Sequence, residues 1–434
     1  MTRLAHVRHF ATVAQMLALL GYAVPALADD AFKIPLDLQE IPTVDEDVSW
    51  TEAAERRPFR WQLTAGVRRE TMSGPLDPLV NDINAIGFTS LALDADLALA
   101  PGLSLQGRAI IYTEGDITDF IVQRVKLEYA PAAFPVRASL GKEYLGWSFT
   151  DLAHVLDPSP RESARINRAD AGDDYAHPYA MVAYENGPHR LSVLAMSEGH
   201  KFDDISTDAS LFAVRYETQI GNASLSAQAI KRENDEAELG FGINTEVGTA
   251  ILSFEGSVTS HQRLPLASTL PGGGLLSQAV TDKNTFQAVV AGRMPISNRW
   301  QAEAAYLFNG HGYTNSQWDY FRTAEDAVLA SLSGGNFQYA NFLSDAQVAH
   351  KDQYLRRNYI TLALSSLENL GKWSVTVGGM YGLDDGGTFG FATASRPIGK
   401  SGRLDMALSG GEGGFGTEFA RRPKEFSIQI AWEF

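Results

Sequence analysis

The chain has no cysteine. That excludes a disulfide framework, a lipoprotein anchor, an iron–sulfur cluster and a cysteine-based zinc site. Basic charge is scarce. Thirty-six Lys and Arg stand against 52 Asp and Glu, and the formal net charge is −16. A nucleic-acid binder needs a basic face to neutralise phosphates, so no nucleic-acid partner is expected. Long hydrophobic runs are absent beyond residue 28, which leaves no stretch able to cross a bilayer as a helix. Catalytic signatures are missing too. The sequence has no Gly-x-Ser-x-Gly and no His-Glu-x-x-His. Asp173, Asp174 and His177 make a weak trio at one loop, and no metal or cofactor is expected from it.

The N-terminus reads as a signal peptide over residues 1–28. Arg3 and Arg8 open it, an apolar stretch runs from Phe10 to Val24, and Ala26-Leu27-Ala28 supplies a small-x-small cleavage site. Residues 29–57 carry nine carboxylates against Lys33, Arg56 and Arg57, with Pro35 and Pro42 among them. They read as an acidic periplasmic arm. The remainder, 58–434, reads as one domain.

Throughout that domain the hydrophobic period is two. Phe59, Trp61, Leu63, Ala65 and Val67 alternate with Arg60, Gln62, Thr64, Gly66 and Arg68. Alternation over this length predicts strand rather than helix. About 18 such segments begin near residues 59, 87, 103, 120, 136, 179, 189, 210, 223, 237, 249, 284, 300, 356, 373, 387, 403 and 425. Their connections sort by parity. Every second one is short, as at Pro101-Gly102 and Gly221-Asn222. The intervening ones are often long, as over 70–86, 145–178, 260–283 and 309–355. A soluble β-sandwich has no reason to sort its loops this way. The expected fold is all-β, an antiparallel transmembrane barrel of 16–18 strands with short periplasmic turns and long extracellular loops.

The last ten residues alternate cleanly. Phe426, Ile428, Ile430, Trp432 and Phe434 lie on one face, and the chain ends on the aromatic. This segment resembles the closing strand of Gram-negative outer-membrane barrels. The resemblance implies that these five residues are read by the barrel-insertion machinery. With the signal peptide and the loop parity, the chain resembles the broad group of porin-like barrels. That implies the cell outer membrane, contact with its lipid and lipopolysaccharide, and the option of a homo-oligomer.

If the apolar face of each strand meets lipid, the other face lines a lumen. Seven cations fall on it: Arg60, Arg68, Arg108, Arg124, Lys126, Arg137 and Arg215. Six of them lie on the early strands, which predicts a positive stretch of wall. So many charges require water, and a hydrated pore supplies it. The expected function is diffusion of small hydrophilic, anionic solutes. Export of an anionic exopolysaccharide and a structural or scaffolding barrel are the alternatives. The long loop 145–178 carries Asp151, Arg161, Arg165, Arg168, Asp173 and Asp174, and it resembles the inward-folded constriction loop of porins. A helix-compatible piece, Thr323–Leu332, lies in loop 309–355 as a plug, a lid or an external cap.

Overall fold

The computed structural model describes residues 58–71, 86–115, 117–150, 155–158, 177–197, 210–232, 237–260, 262–269, 275–280, 284–336, 342, 346, 350, 354–367, 372–414, 416–422 and 424–434. The expected signal peptide and acidic arm lie outside them. So do Asp151, Arg161, Arg165, Arg168, Asp173 and Asp174 of the expected constriction loop.

Twenty strands are described. The first eleven are β1 (Phe59–Thr71), β2 (Ile86–Ala100), β3 (Leu103–Glu114), β4 (Ile117–Tyr129), β5 (Val136–Glu143), β6 (His177–Asn186), β7 (His189–Ser197), β8 (Ser210–Ile220), β9 (Ala223–Arg232), β10 (Ala237–Val247) and β11 (Ala250–Thr259). A short hairpin follows, β12 (Gln262–Thr269) with β13 (Leu275–Val280). The rest are β14 (Thr285–Pro295), β15 (Trp300–Asn309), β16 (Asn358–Ser366), β17 (Ser374–Gly382), β18 (Thr388–Ile398), β19 (Gly402–Glu412) and β20 (Lys424–Glu433). A helix, α1 (Asn315–Ser333), lies between β15 and β16.

The eighteen strands other than β12 and β13 form one sheet in which neighbours pair antiparallel. It closes on itself because β20 pairs with β1, from Gln62↔Glu433 to Thr71↔Lys424. Closure leaves no open sheet edge at the seam, which a spanning sheet requires because lipid offers no hydrogen bonds. Each barrel strand starts within three residues of its expected position. The hairpin in 260–283 was expected to be loop.

The register fixes two faces. Leu63↔Leu91 and Leu63↔Trp432 lie on one, and Thr64↔Ser90 and Thr64↔Ala431 on the other. The first face carries Val67, Leu91, Leu140, Val193, Phe212, Leu239, Val290, Leu362 and Leu408, all exposed. Large apolar side chains exposed around every part of a closed barrel make a lipid-facing belt. Among the described residues no helix is long and apolar enough to cross a membrane. The crossing is made by strands.

Sharp turns close the short-loop rim. Gly102, Gly187, Gly221 and Gly248 take positive φ there, a conformation that L side chains avoid. The helix α1 begins eight residues before the expected piece. Thr314 caps it, with its side chain and that of Gln317 forming a capping box.

Candidate functional site: the lumen and its inward loop

Six of the seven predicted cations share the inner face through direct register. Arg60 pairs with Asp94, and Asp94 with Arg108. Arg108 pairs with Arg124, and Gln106 with Lys126. Arg68 and Arg137 follow by alternation on β1 and β5. Arg215 stands apart on β8, where it faces Ser192 and Gln228.

The expected positive wall needs redrawing, because carboxylates occupy matching positions on adjacent strands. Arg60 lies 3.8 Å from Glu433, and Arg108 lies 3.2 Å from Asp94. Arg108 also donates to Gln62 at 2.8 Å. Arg68 pairs with Glu114, which accepts from the Tyr112 hydroxyl at 2.7 Å. Lys126 sits between Glu128 at 3.1 Å and Glu143 at 3.7 Å. Arg137 is 3.0 Å from Glu185, and Arg215 is 2.9 Å from Glu217. Among the described residues Arg124 has no such partner, and its buried Nε finds no acceptor.

Two features of the backbone place Arg124. A bulge interrupts the β3–β4 register beside it, where Arg108↔Arg124 is followed by Ala109↔Val122. A bulge re-aims the side chains next to it. Pairing of β4 with β5 stops one residue away, at Val125↔Lys142. Gly141 sits at this point, where a Cβ would run into the backbone of Val125 and Lys126. Here the chain leaves the wall.

It turns inward. Residues 144–150 and 155–158 lie against the inner face of β8–β11. Asp157 ties the segment into a compact turn. Its carboxylate accepts the Ser148 N–H at 2.7 Å, the Trp147 N–H and the Tyr144 hydroxyl. The Leu156 N–H donates to Ser148 Oγ at 2.9 Å. The wall then holds the turn at four points. Arg215 donates to the Trp147 carbonyl at 2.6 Å and lies 5.2 Å from the centroid of that ring. Gln228 donates to the Leu156 carbonyl at 2.8 Å, and Arg232 to the Pro158 carbonyl at 3.0 Å. Glu255 accepts the Phe149 N–H and the Thr150 N–H, the latter at 3.0 Å.

Packing completes the anchorage. Leu156 is fully buried. It seats over Gly240 and Gly242, where any Cβ would come within 2.8 Å of its side chain. Val155 and Leu156 join an apolar cluster with Val289, Ala291, Ala305, Leu307, Tyr359, Phe389 and Phe419. The inner wall is therefore two-sided. Over β8–β11 it is covered by the inward turn, whose Val155 and Leu156 also reach apolar side chains of β14–β16. From β20 through β1 to β5 it presents charged and polar side chains.

A second group of loops lies at the long-loop rim. Helix α1 buries Trp318, Phe321, Val328, Leu329 and Leu332 against Tyr313, Phe342, Ala346 and Leu355. The Trp318 indole donates to the Gly416 carbonyl at 2.8 Å. Glu325, fully buried, accepts from Arg421 and lies 2.7 Å from His350. Glu418, also fully buried, accepts from the Tyr359 hydroxyl at 2.6 Å and from the Leu355 and Arg356 N–H groups at 3.2 Å. Burial raises its carboxyl above the usual range, although Arg422 pulls the other way. These carboxylates fasten the β15–β16 loop to the β19–β20 loop.

Glu255 went unnoticed in the sequence, although its signal was present. Ser253, Glu255, Ser257 and Thr259 alternate with Leu252, Phe254, Gly256 and Val258, which puts the carboxylate on the inner face. Glu418 and Arg421 had no such signal, since a loop has no period, and Glu325 lies on the helix α1 as a lone carboxylate whose partners come from distant loops.

The closed eighteen-stranded sheet, its apolar belt and its polar inner face make the protein an outer-membrane β-barrel of porin-like architecture. No family model matches the chain, and no curated protein matches it. The fold is shared with OccAB1 of Acinetobacter baumannii, at 10% identity and a TM-score of 0.55, over 87% of this chain and 96% of that one. A mutant of the Rh. blastica porin matches at 9% identity and a TM-score of 0.42, over 87% of this chain and 99% of that one. A loop-deletion form of OmpT, an outer membrane protein of Vibrio cholerae, matches at 11% identity and a TM-score of 0.39, over 87% and 98% respectively.

Proposed function

We propose that the protein is a diffusion channel for small hydrophilic anions, and that solute passes along the β20–β5 side of the lumen. The observation that carries this reading is Arg124. Among the described residues it is the one cation of the seven without a carboxylate, and it faces a second guanidinium, Arg108, across the β3–β4 pair. Like charges directly opposite one another repel, and an anion between them relieves that repulsion. The inward loop supports the same reading, because it occupies the opposite half of the lumen and narrows the remaining path. The paired cations hold the wall side chains in place, while Arg124 stays available to solute. Selection by charge then follows from one uncompensated guanidinium at a narrow point rather than from a bare positive wall. In this reading the chain is a channel and not a catalyst, and it needs no cofactor.

The test is single-channel recording across a KCl gradient with the refolded mature chain. Discrete conductance steps with an anion-selective reversal potential are expected. Arg124→Gln shifts the reversal potential toward cation selectivity without abolishing the steps. Cation selectivity in the wild-type protein would sink the assignment of solute class. A folded barrel with no conductance would sink the channel itself.

A further inference from the structure

The wall of the barrel opens beside Arg124. Strand β4 spans Ile117 to Tyr129, but its pairing with β5 ends at Val125↔Lys142. From Ile117 to Arg124 the strand is paired with β3, Gln123 excepted. Among the described residues no strand pairs with the other edge of this stretch. Side chains fix the level of the opening. Ile111 and Phe120 are cross-strand partners on the outward face, and both are exposed like the rest of the belt. The opening therefore lies at lipid depth, where the bilayer offers N–H and C=O groups no hydrogen bonds.

An apolar cavity adjoins the opening on the outer face. Leu140, Ala180, Ala195 and Phe212 follow one another across β5 to β8. Leu140 and Phe212 stand out at 60% exposure each, and the two alanines leave a depression between them. Val125, Leu140, Pro178, Ala195 and Phe212 border a cavity of about 430 Å³, a size that suits a small molecule. Val125 follows Arg124 directly in the chain. On the lumen side the bulge sets Gln123 and Arg124 together opposite Arg108. The opening thus has a free guanidinium at its inner end and an apolar cavity at its outer end.

We infer that a long-chain carboxylate binds across the wall at this point, with its carboxylate on Arg124 and its alkyl chain passing between β4 and β5 into the outer cavity. The chemistry selects the occupant. A guanidinium matches a carboxylate through two parallel N–H···O bonds. The cavity excludes a small hydrated anion, because nothing in it replaces the water. One alkyl chain suits one depression, whereas a phospholipid brings two chains. The site gives amphipathic anions a sideways route between the lumen and the membrane. The inference shares Arg124 with the channel reading, but it does not require solute to travel the length of the lumen.

Photolabelling of the mature barrel in phosphatidylcholine nanodiscs tests it, with a diazirine-bearing hexadecanoate as the probe and mass spectrometry to map the labelled peptides. Label is expected to concentrate around Leu140 and Phe212. Unlabelled hexadecanoate is expected to compete about tenfold better than hexadecanol, because a charged pair adds to the apolar contact. Arg124→Gln removes that preference, and Arg124→Lys retains part of it. Ala195→Phe fills the cavity and loses the label, while its small-anion conductance stays at the wild-type level. Leu239→Phe, on the outer face of β10, changes neither. Label spread evenly around the belt would overturn the proposal, as would equal competition by hexadecanol or a preference that survives Arg124→Gln. Loss of the label in phosphatidylglycerol discs would overturn the choice of occupant. Anion-selective conductance without the label would end this inference and leave the channel reading standing. Label without conductance would do the reverse.

Discussion

Arg124 and Glu418 behave differently from the other charges of the barrel because of what surrounds each one. Arg124 stands at a bulge, where β5 has already left, so no neighbouring strand supplies a carboxylate. Replacing it with Gln removes a charge without breaking an ion pair, and the barrel should therefore keep its thermal stability. Arg108→Gln is different. It strips Asp94 and Gln62 of their donor, and a lost charge-assisted hydrogen bond costs roughly 1.5–3 kcal/mol. Thermal unfolding of the two variants side by side checks this contrast. Equal losses would mean that Arg124 has a partner after all. Glu418 gives a pH dependence. Burial raises its carboxyl, so the folded loop holds that proton more tightly than the unfolded chain does. Stability from this group is present at low pH and is lost as pH rises from the ordinary carboxylate range through the raised value. Glu418→Gln should flatten the stability profile on the alkaline side of the ordinary carboxylate range. Profiles of unchanged slope would remove Glu418 as its source.

At the scale of elements, the inward loop depends on a few wall side chains. Glu255 is the most exacting of them, because its carboxylate receives two backbone N–H groups in a buried place. Glu255→Ala leaves both donors unsatisfied at roughly 1–3 kcal/mol each. The loop should then leave the wall part of the time, and single-channel current should become noisier with larger maximal steps. Steady current of wild-type size would mean that packing of Leu156 over Gly240 and Gly242 is sufficient alone. The last strand makes a separate case. Phe434 is exposed beyond the end of β20, and its backbone exchanges hydrogen bonds with Trp61, donating at 2.9 Å and accepting at 3.4 Å. Its ring contributes little to the finished wall. Deleting it should slow assembly by the insertion machinery and leave the melting behaviour of the folded fraction nearly unchanged. A deletion that instead lowers stability, with assembly intact, would assign the residue to the wall and not to the signal.

For the molecule as a whole, the barrel was legible because membrane strands repeat one rule. Alternation between lipid and water gives period two, and closure with both termini on one rim gives an even count. Each strand announces itself by the same means, so starts near 59, 136, 300 and 425 could be read without any tertiary information. The hairpin β12–β13 escaped that rule, lying in a stretch that read as loop.

The sequence by itself determined the barrel, the starts of its eighteen strands and their two faces, because alternation is a local property of each strand. It did not determine which cations are free. Pairing depends on register between strands far apart in the chain, such as β1 with β20 and β3 with β2, and a one-residue slip would exchange every partner. Nor did it determine which half of the lumen is covered. That is decided by where residues 144–150 and 155–158 land, and they land on β8–β11 because Arg215, Gln228, Arg232 and Glu255 meet there only once the sheet has curved closed.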